Sequence, residues 1–257
     1  MFAFALLDYK NHLVFLARDR IGIKPLFYAY NSDWFVFASE IKGVLASGLI
    51  RRELDEKAIK SSFTFGYIPG EETAFKFVRH VPPASLMVFN LKTNSFRFDE
   101  YWQPIFPEAS EQGGISGSKY ALGLASVMEK AVKSHLIGDV AMSSYLSGGI
   151  DSTVVTSLLK KVTDQTDGLA SFSIKFSDKA FDESDVFEKT SKQLGISSQI
   201  VEMKGLSFLD FKRAIVAIEQ PQFSPLDVPM IKLSGLVRKY GRKVVLVGEG
   251  SDELFGG

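Results

Sequence analysis

Tyr145-Leu146-Ser147-Gly148-Gly149-Ile150-Asp151-Ser152 stands where an apolar run, Val140 to Leu146, gives way to a helical one, Thr153 to Lys161. Adjacent glycines let the backbone reach positive φ and turn successive N–H groups to one side. Such a nest at a helix N-terminus attracts phosphate through its amides and the helix dipole. Ser147 and Ser152 add hydroxyls, and Asp151 beside phosphate makes sense if a divalent cation neutralises both. A plain glycine turn with Asp151 as a helix cap is the competing reading. Neither a G-x-x-x-x-G-K-[ST] loop nor a G-x-G-x-x-G turn occurs, so no Walker lysine and no dinucleotide fingerprint is present.

Outward from the loop, helix and strand alternate. Helices are expected over Ser118–Ser134, Thr153–Lys161, Asp182–Leu194, Leu206–Glu219 and Leu226–Tyr240, and strands over Val140–Leu146, Leu169–Phe176, Gln199–Glu202 and Lys243–Val247. Leu122, Ala125, Met128 and Val132 form one apolar face of the first helix. The alternation implies βαβ units and a parallel sheet, with ligands outside the strands' carboxyl ends. It leaves the strand order open.

The first hundred residues have another rhythm. Phe2–Asp8, His12–Arg18, Pro25–Tyr30 and Trp34–Ser39 are short aromatic or β-branched strands. Ser39 is placed to cap a helix over Glu40–Ser47, which Gly48 would end, and Asp55 to cap another through Lys60. Ser85–Asn90 and Phe96–Trp102 read as a hairpin turning at Lys92-Thr93-Asn94. Residues 105–117 read as a linker between domains at 1–104 and 118–257, so the fold class is α/β with a mainly β first part.

Bulk composition excludes several functions. Thirty Lys plus Arg balance thirty Asp plus Glu among 257 residues, so no global field recruits nucleic acid or an anionic membrane. No apolar run approaches the ~20 residues that span a bilayer. Cysteine is absent, which removes disulfides, thiolate metal sites and a Cys nucleophile and suits a reducing, cytoplasmic setting. His12, His80 and His135 show no metal-ligand spacing.

The loop Leu146 to Ser152 resembles the pyrophosphate loop of the ATP pyrophosphatases, and most closely that of the asparagine synthetases. Val244 to Gly257 is similar to the second signature of that family, and Ala17-Arg18-Asp19-Arg20-Ile21-Gly22-Ile23-Lys24-Pro25-Leu26-Phe27-Tyr28 with Phe37 to Lys42 is similar to its glutaminase domain. The resemblance covers nearly the whole chain. It implies part of an Ntn-hydrolase-type α+β sandwich followed by an adenine nucleotide α-hydrolase-like sheet. It also implies an ATP- and Mg²⁺-dependent ligase that adenylates the side-chain carboxylate of aspartate and admits glutamine-derived ammonia. Leu146, Ile174, Val247 and Gly248 would contact the nucleotide, and Ser147, Gly148, Gly149, Asp151 and Ser152 the phosphates. Asp151 and Asp252 would hold Mg²⁺, Glu249 would serve the amine end, and Asp19 would bind glutamine. Val247 departs from the usual serine.

Two alternatives stay open: a relative amidating or cyclising another carboxylate, and a non-catalytic nucleotide-binding remnant. Phe181-Asp182-Glu183-Ser184 reads as a cap, Asp182, with acids in the first helical turn, rather than as a substrate contact. Arg18, Arg20 and Lys24 are expected in salt bridges. Glutaminases of this family begin with a Cys, whereas position 2 here is Phe2 and the early R-G-P-D and N-G-E segments are absent, so an internal portion of a longer polypeptide without glutaminase activity of its own is expected. Partners are small molecules, with neither nucleic acid nor membrane, and the resemblance admits a homodimer of the full-length protein.

Overall fold

Short aromatic and β-branched runs broken by turn residues become antiparallel strands. The computed structural model describes residues 1–106, 108, 116–163, 169–180, 182–222 and 224–256. β1 (Ala3–Asp8), β2 (Leu13–Arg18), β6 (Ser85–Asn90) and β7 (Ser95–Glu100) form one sheet in the order β1-β2-β6-β7. β3 (Phe27–Tyr30), flanked by β4 (Phe35–Ala38) and β5 (Arg79–His80), forms a second. Leu16, Tyr28, Val81, Met87 and Phe89 make the core against which Phe35, Phe96 and Phe98 pack. The β6–β7 turn follows its sequence: Asn90 Oδ1 accepts the N–H groups of Lys92 and Thr93, and Asn94 takes φ +50°.

The chain divides into two units, residues 1–107 with 212–224, and residues 108–211 with 225–257. The expected linker falls largely on residues outside those described. That 212–224 joins the first unit was not legible in the sequence, and it corrects one cap. α1 (Ile41–Ala46) takes nothing from Ser39. Glu40 occupies its N-cap position without a side-chain capping bond. The amides of Ile41 and Lys42 instead donate to the carboxylate of Glu219, at 2.7 and 2.9 Å, with Lys42 Nζ at 3.2 Å. A charged acceptor satisfies two helix-end donors at once and suits the positive end of the dipole, so it displaces the local serine. Asp55 does cap α2 (Glu56–Phe65), accepting from Ala58 N at 3.0 Å, but that helix runs past Lys60 to Gly66 at φ +81°.

In the second unit, α3 (Gly117–His135), β8 (Met142–Tyr145), α4 (Ile150–Thr163), β9 (Ala170–Phe176), α5 (Ser184–Leu194), β10 (Ser197–Met203), α7 (Asp227–Lys239), β11 (Val244–Leu246) and α8 (Ser251–Phe255) follow in order, with α6 (Phe208–Ile218) lying across the division of the chain. The four strands are parallel in the order β10-β9-β8-β11. One face packs Ala170 and Phe172 on Leu233 and Val237 of α7. The other packs Met142 and Leu169 against Leu159 of α4 and Val132 of α3. The expected apolar face of α3 is buried only near its C-terminal end, and Leu122 is 75% exposed. Among the described residues no helix is long and apolar enough to cross a membrane.

Candidate nucleotide-binding site

β8 and β11 are neighbours, so the loops leaving their carboxyl ends face one another. After β8, Leu146 is buried and its N–H donates to Phe172 O at 3.0 Å, extending the ladder one residue. The chain then turns through Gly148 at φ +99°. A Cβ there would lie 3.2 Å from Val186 Cβ, so α5 packs directly on the turn and only glycine fits. Ser152 closes the loop from inside the first turn of α4. Its Oγ accepts from Ser147 N at 3.2 Å, lies 3.0 Å from Ser147 Oγ and donates to Gly149 O at 3.1 Å. The two serines thus hold the loop's shape in addition to offering hydroxyls.

The opposite loop approaches just as closely. A Cβ on Gly248 would sit 2.9 Å from Asp151 C, Asp151 Cβ and Ser152 N, all at the start of α4. Ser251 Oγ donates to Gly248 O at 2.9 Å, and Gly250 takes φ +92°, which together set α8 with Asp252 in its first turn.

Between the loops lies a cavity of about 460 Å³. Leu146, Ser147, Gly149, Asp151, Ser152, Ile174, Val247, Gly248, Glu249 and Asp252 all line it. Gly148 does not line it and acts through the turn. Asp19 belongs to the first unit. It is 4% exposed, and its oxygens accept from Ile23 N and Lys24 N at 2.9 Å and Phe2 N at 3.2 Å. Burial would raise its pKa, yet these amides outweigh burial and hold it below the usual carboxylate value. Arg18, expected in a salt bridge, instead donates to three carbonyls, Lys24 O, Val81 O and Gly22 O, at 2.7 to 2.9 Å. Arg18 and Asp19 therefore pin the loop between them and β3.

Phe172, Phe176, Leu226, Met230 and Leu233 also line the cavity and were missed as site residues. Their signal was readable: Leu226, Met230 and Leu233 recur at i, i+4 and i+7, a helix face opposite the glycine loop. The result is an apolar chamber with a polar rim, the form of a pocket for an aromatic base with a charged tail. Glu183, the residue before α5, lines it as well.

The charge of the lining is one-sided. Asp151, Glu183, Glu249 and Asp252 contribute carboxylates, and the described lining contains no Lys, Arg or His. An anion can share this space only with cations brought alongside it. Among the described residues no three His, Cys, Asp or Glu gather to form a protein-only metal cage.

The Asparagine synthase family model matches residues 123–257, and the Glutamine amidotransferase domain model matches residues 1–102. Over its whole length the chain is 30% identical to a protein assigned as glutamine-hydrolyzing asparagine synthetase 2 in Methanocaldococcus jannaschii, covering 49% of it. It is 30% identical to glutamine-hydrolyzing asparagine synthetase 1 of Bacillus subtilis, covering 39% of it. The amidase chyE of Penicillium rubens is equally similar, at 30% identity over the whole chain and 39% of that protein. The chain spans about half the length, or less, of these curated relatives. With the loops, their spacing and both matches in agreement, the chain belongs to the asparagine synthase family.

Proposed function

We propose that this chain carries the ATP-activating site of an amide-forming ligase, one that adenylates the side-chain carboxylate of aspartate and passes it to ammonia drawn from glutamine. The observation that carries this reading is the pair of glycine loops, Ser147–Ser152 and Val247–Asp252, closing on one cavity whose charge is supplied only by carboxylates. A lysine-based phosphate clamp would suit cleavage at the γ-phosphate. Here the dipole at the start of α4 and the hydroxyls of Ser147 and Ser152 hold the phosphates, and the apolar chamber of Leu146, Phe172, Ile174 and Met230 takes the base.

In this reading the acceptor carboxylate attacks the α-phosphorus, the α–β bridge breaks and pyrophosphate leaves. Ammonia then adds to the acyl carbon and AMP departs, the nitrogen giving its proton to Glu249. Asp151 and Asp252 would hold Mg²⁺, which when bound offsets the charge on the departing pyrophosphate. Preorganised amides stabilise charge where it develops without reorganising. Asp19 is retained as a proposed glutamine contact of the complete amidotransferase portion. The amidase among the relatives keeps a second acceptor carboxylate in view.

Nucleotide products of the full-length protein decide the reaction type. AMP and pyrophosphate in equal amounts are expected, one of each per amide formed. ADP and orthophosphate as the stoichiometric products would overturn the proposal.

A further inference from the structure

We propose that Glu183 holds the ammonium group of an amino-acid acceptor and so selects acceptors that carry one. The inference rests on the adenylation reading above and deepens it.

Three fixed contacts set the place of Glu183. Asp182 Oδ1 accepts from Phe176 N at the end of β9 and from Ser184 N, both at 3.3 Å, and Asp182 Oδ2 accepts from Ser184 Oγ at 2.9 Å. The carbonyl of Glu183 accepts from Val186 N and Phe187 N at 3.1 Å, which begins α5. Val186 then packs 3.2 Å from the position a Cβ would take on Gly148. The residue is therefore anchored between the end of β9 and the phosphate loop, and it is one of the residues that line the cavity. The helix-cap work expected of this segment falls to Asp182, which leaves the Glu183 carboxylate unused by the fold.

Charge decides what meets it. Asp151 and Asp252 are accounted for by the metal and Glu249 by the incoming nitrogen. A fourth carboxylate beside a triphosphate opposes nucleotide binding unless a positive group offsets it. Ribose hydroxyls would donate hydrogen bonds to it without discharging it. A second Mg²⁺ on this carboxylate is the competing occupant, and the Mg²⁺ half-saturation of the variant below separates the two. A monocation bound by one carboxylate is the other, and an α-ammonium is the cation an amino-acid acceptor brings. Charge-assisted pairing of this kind is stronger than a neutral hydrogen bond.

The test uses the full-length protein and follows pyrophosphate–ATP exchange with aspartate or with succinate, its counterpart lacking the amino group. Wild type should prefer aspartate. Glu183→Gln should raise the KM for aspartate roughly tenfold or more, with kcat, the KM for ATP and Mg²⁺ half-saturation little changed. The aspartate-over-succinate preference should fall by the same factor, and Glu183→Asp should restore part of it. An unchanged KM for aspartate, equal use of succinate by wild type, or a shift falling instead on ATP or Mg²⁺ would overturn the inference while leaving adenylation standing. Wild type without any carboxylate-dependent exchange would bring down the adenylation reading, and this inference with it.

Discussion

Replacing Glu219 by alanine removes the carboxylate that caps the N-terminal end of α1. The carboxylate is 9% exposed and accepts from Ile41 N at 2.7 Å and Lys42 N at 2.9 Å, with Lys42 Nζ at 3.2 Å. A hydrogen bond to a charged group contributes about 1.5 to 3 kcal/mol, and the two bonds share one acceptor and so do not add fully. The Lys42 ammonium is half exposed and adds little. The loss should come to about 3 kcal/mol. Glu219 also sits at φ +67°, which costs a residue with a Cβ roughly 1 kcal/mol. Glu219→Gly sheds that strain and should be milder than alanine by about that amount. Trp34 and Trp102, the chain's two tryptophans, both lie in the first unit, so denaturant unfolding followed by their fluorescence reports on this unit. Hydrogen exchange at the Ile41 and Lys42 amides reads the cap directly. A loss under 0.5 kcal/mol with both amides still protected would refute the long-range cap.

Asp151→Ala in the full-length protein should lower the adenylation rate by roughly a hundredfold, about 3 kcal/mol, with an unchanged melting temperature; wild-type turnover would leave Asp151 a helix-end acid only. Gly248→Ala must push against backbone atoms 2.9 Å away, so calorimetric titration should find ATP binding weakened at least tenfold, and unaltered affinity would contradict the close approach. Burial pushes the His80 pKa down to about 4, with the Arg18 charge adding to it. The unfolded chain then takes up this proton first as pH falls, so the stability contributed by neutral His80 is full above pH 6.5 and is lost toward pH 4, by about 3 kcal/mol. His80→Gln should flatten that slope in urea melts between pH 7 and 4, and a parallel slope in the variant would assign it to other groups.

What could be read in the sequence was what neighbours in sequence decide. The strand, the glycine turn and the helix after it are contiguous, so the lining from Leu146 to Ser152 was legible from one octapeptide, as was Asp55 at its cap. Contacts made at long range were not. Nothing near Ile41 announces Glu219, which lies 178 residues away, and Ser39 was the better local candidate. That the face of Leu226, Met230 and Leu233 walls the cavity depends on which strands adjoin, and periodicity carries no strand order. The tertiary environment also overrode pattern in α3, whose apolar stripe was recognised but is buried only near Val132. Arg18 shows the same limit: its charge was visible, while the carbonyls it meets come from two separate turns.

The adenylate itself leaves a trace that one measurement reads. Aspartate labelled with ¹⁸O in its side-chain carboxylate is incubated with ATP, Mg²⁺, ammonia and the full-length protein, and the nucleotide and phosphate products are examined by mass spectrometry. If the carboxylate attacks the α-phosphorus, as proposed for the cavity between the Ser147–Ser152 and Val247–Asp252 loops, one labelled oxygen per turnover leaves in AMP. Label in orthophosphate, or amide formed with unlabelled AMP, would contradict it.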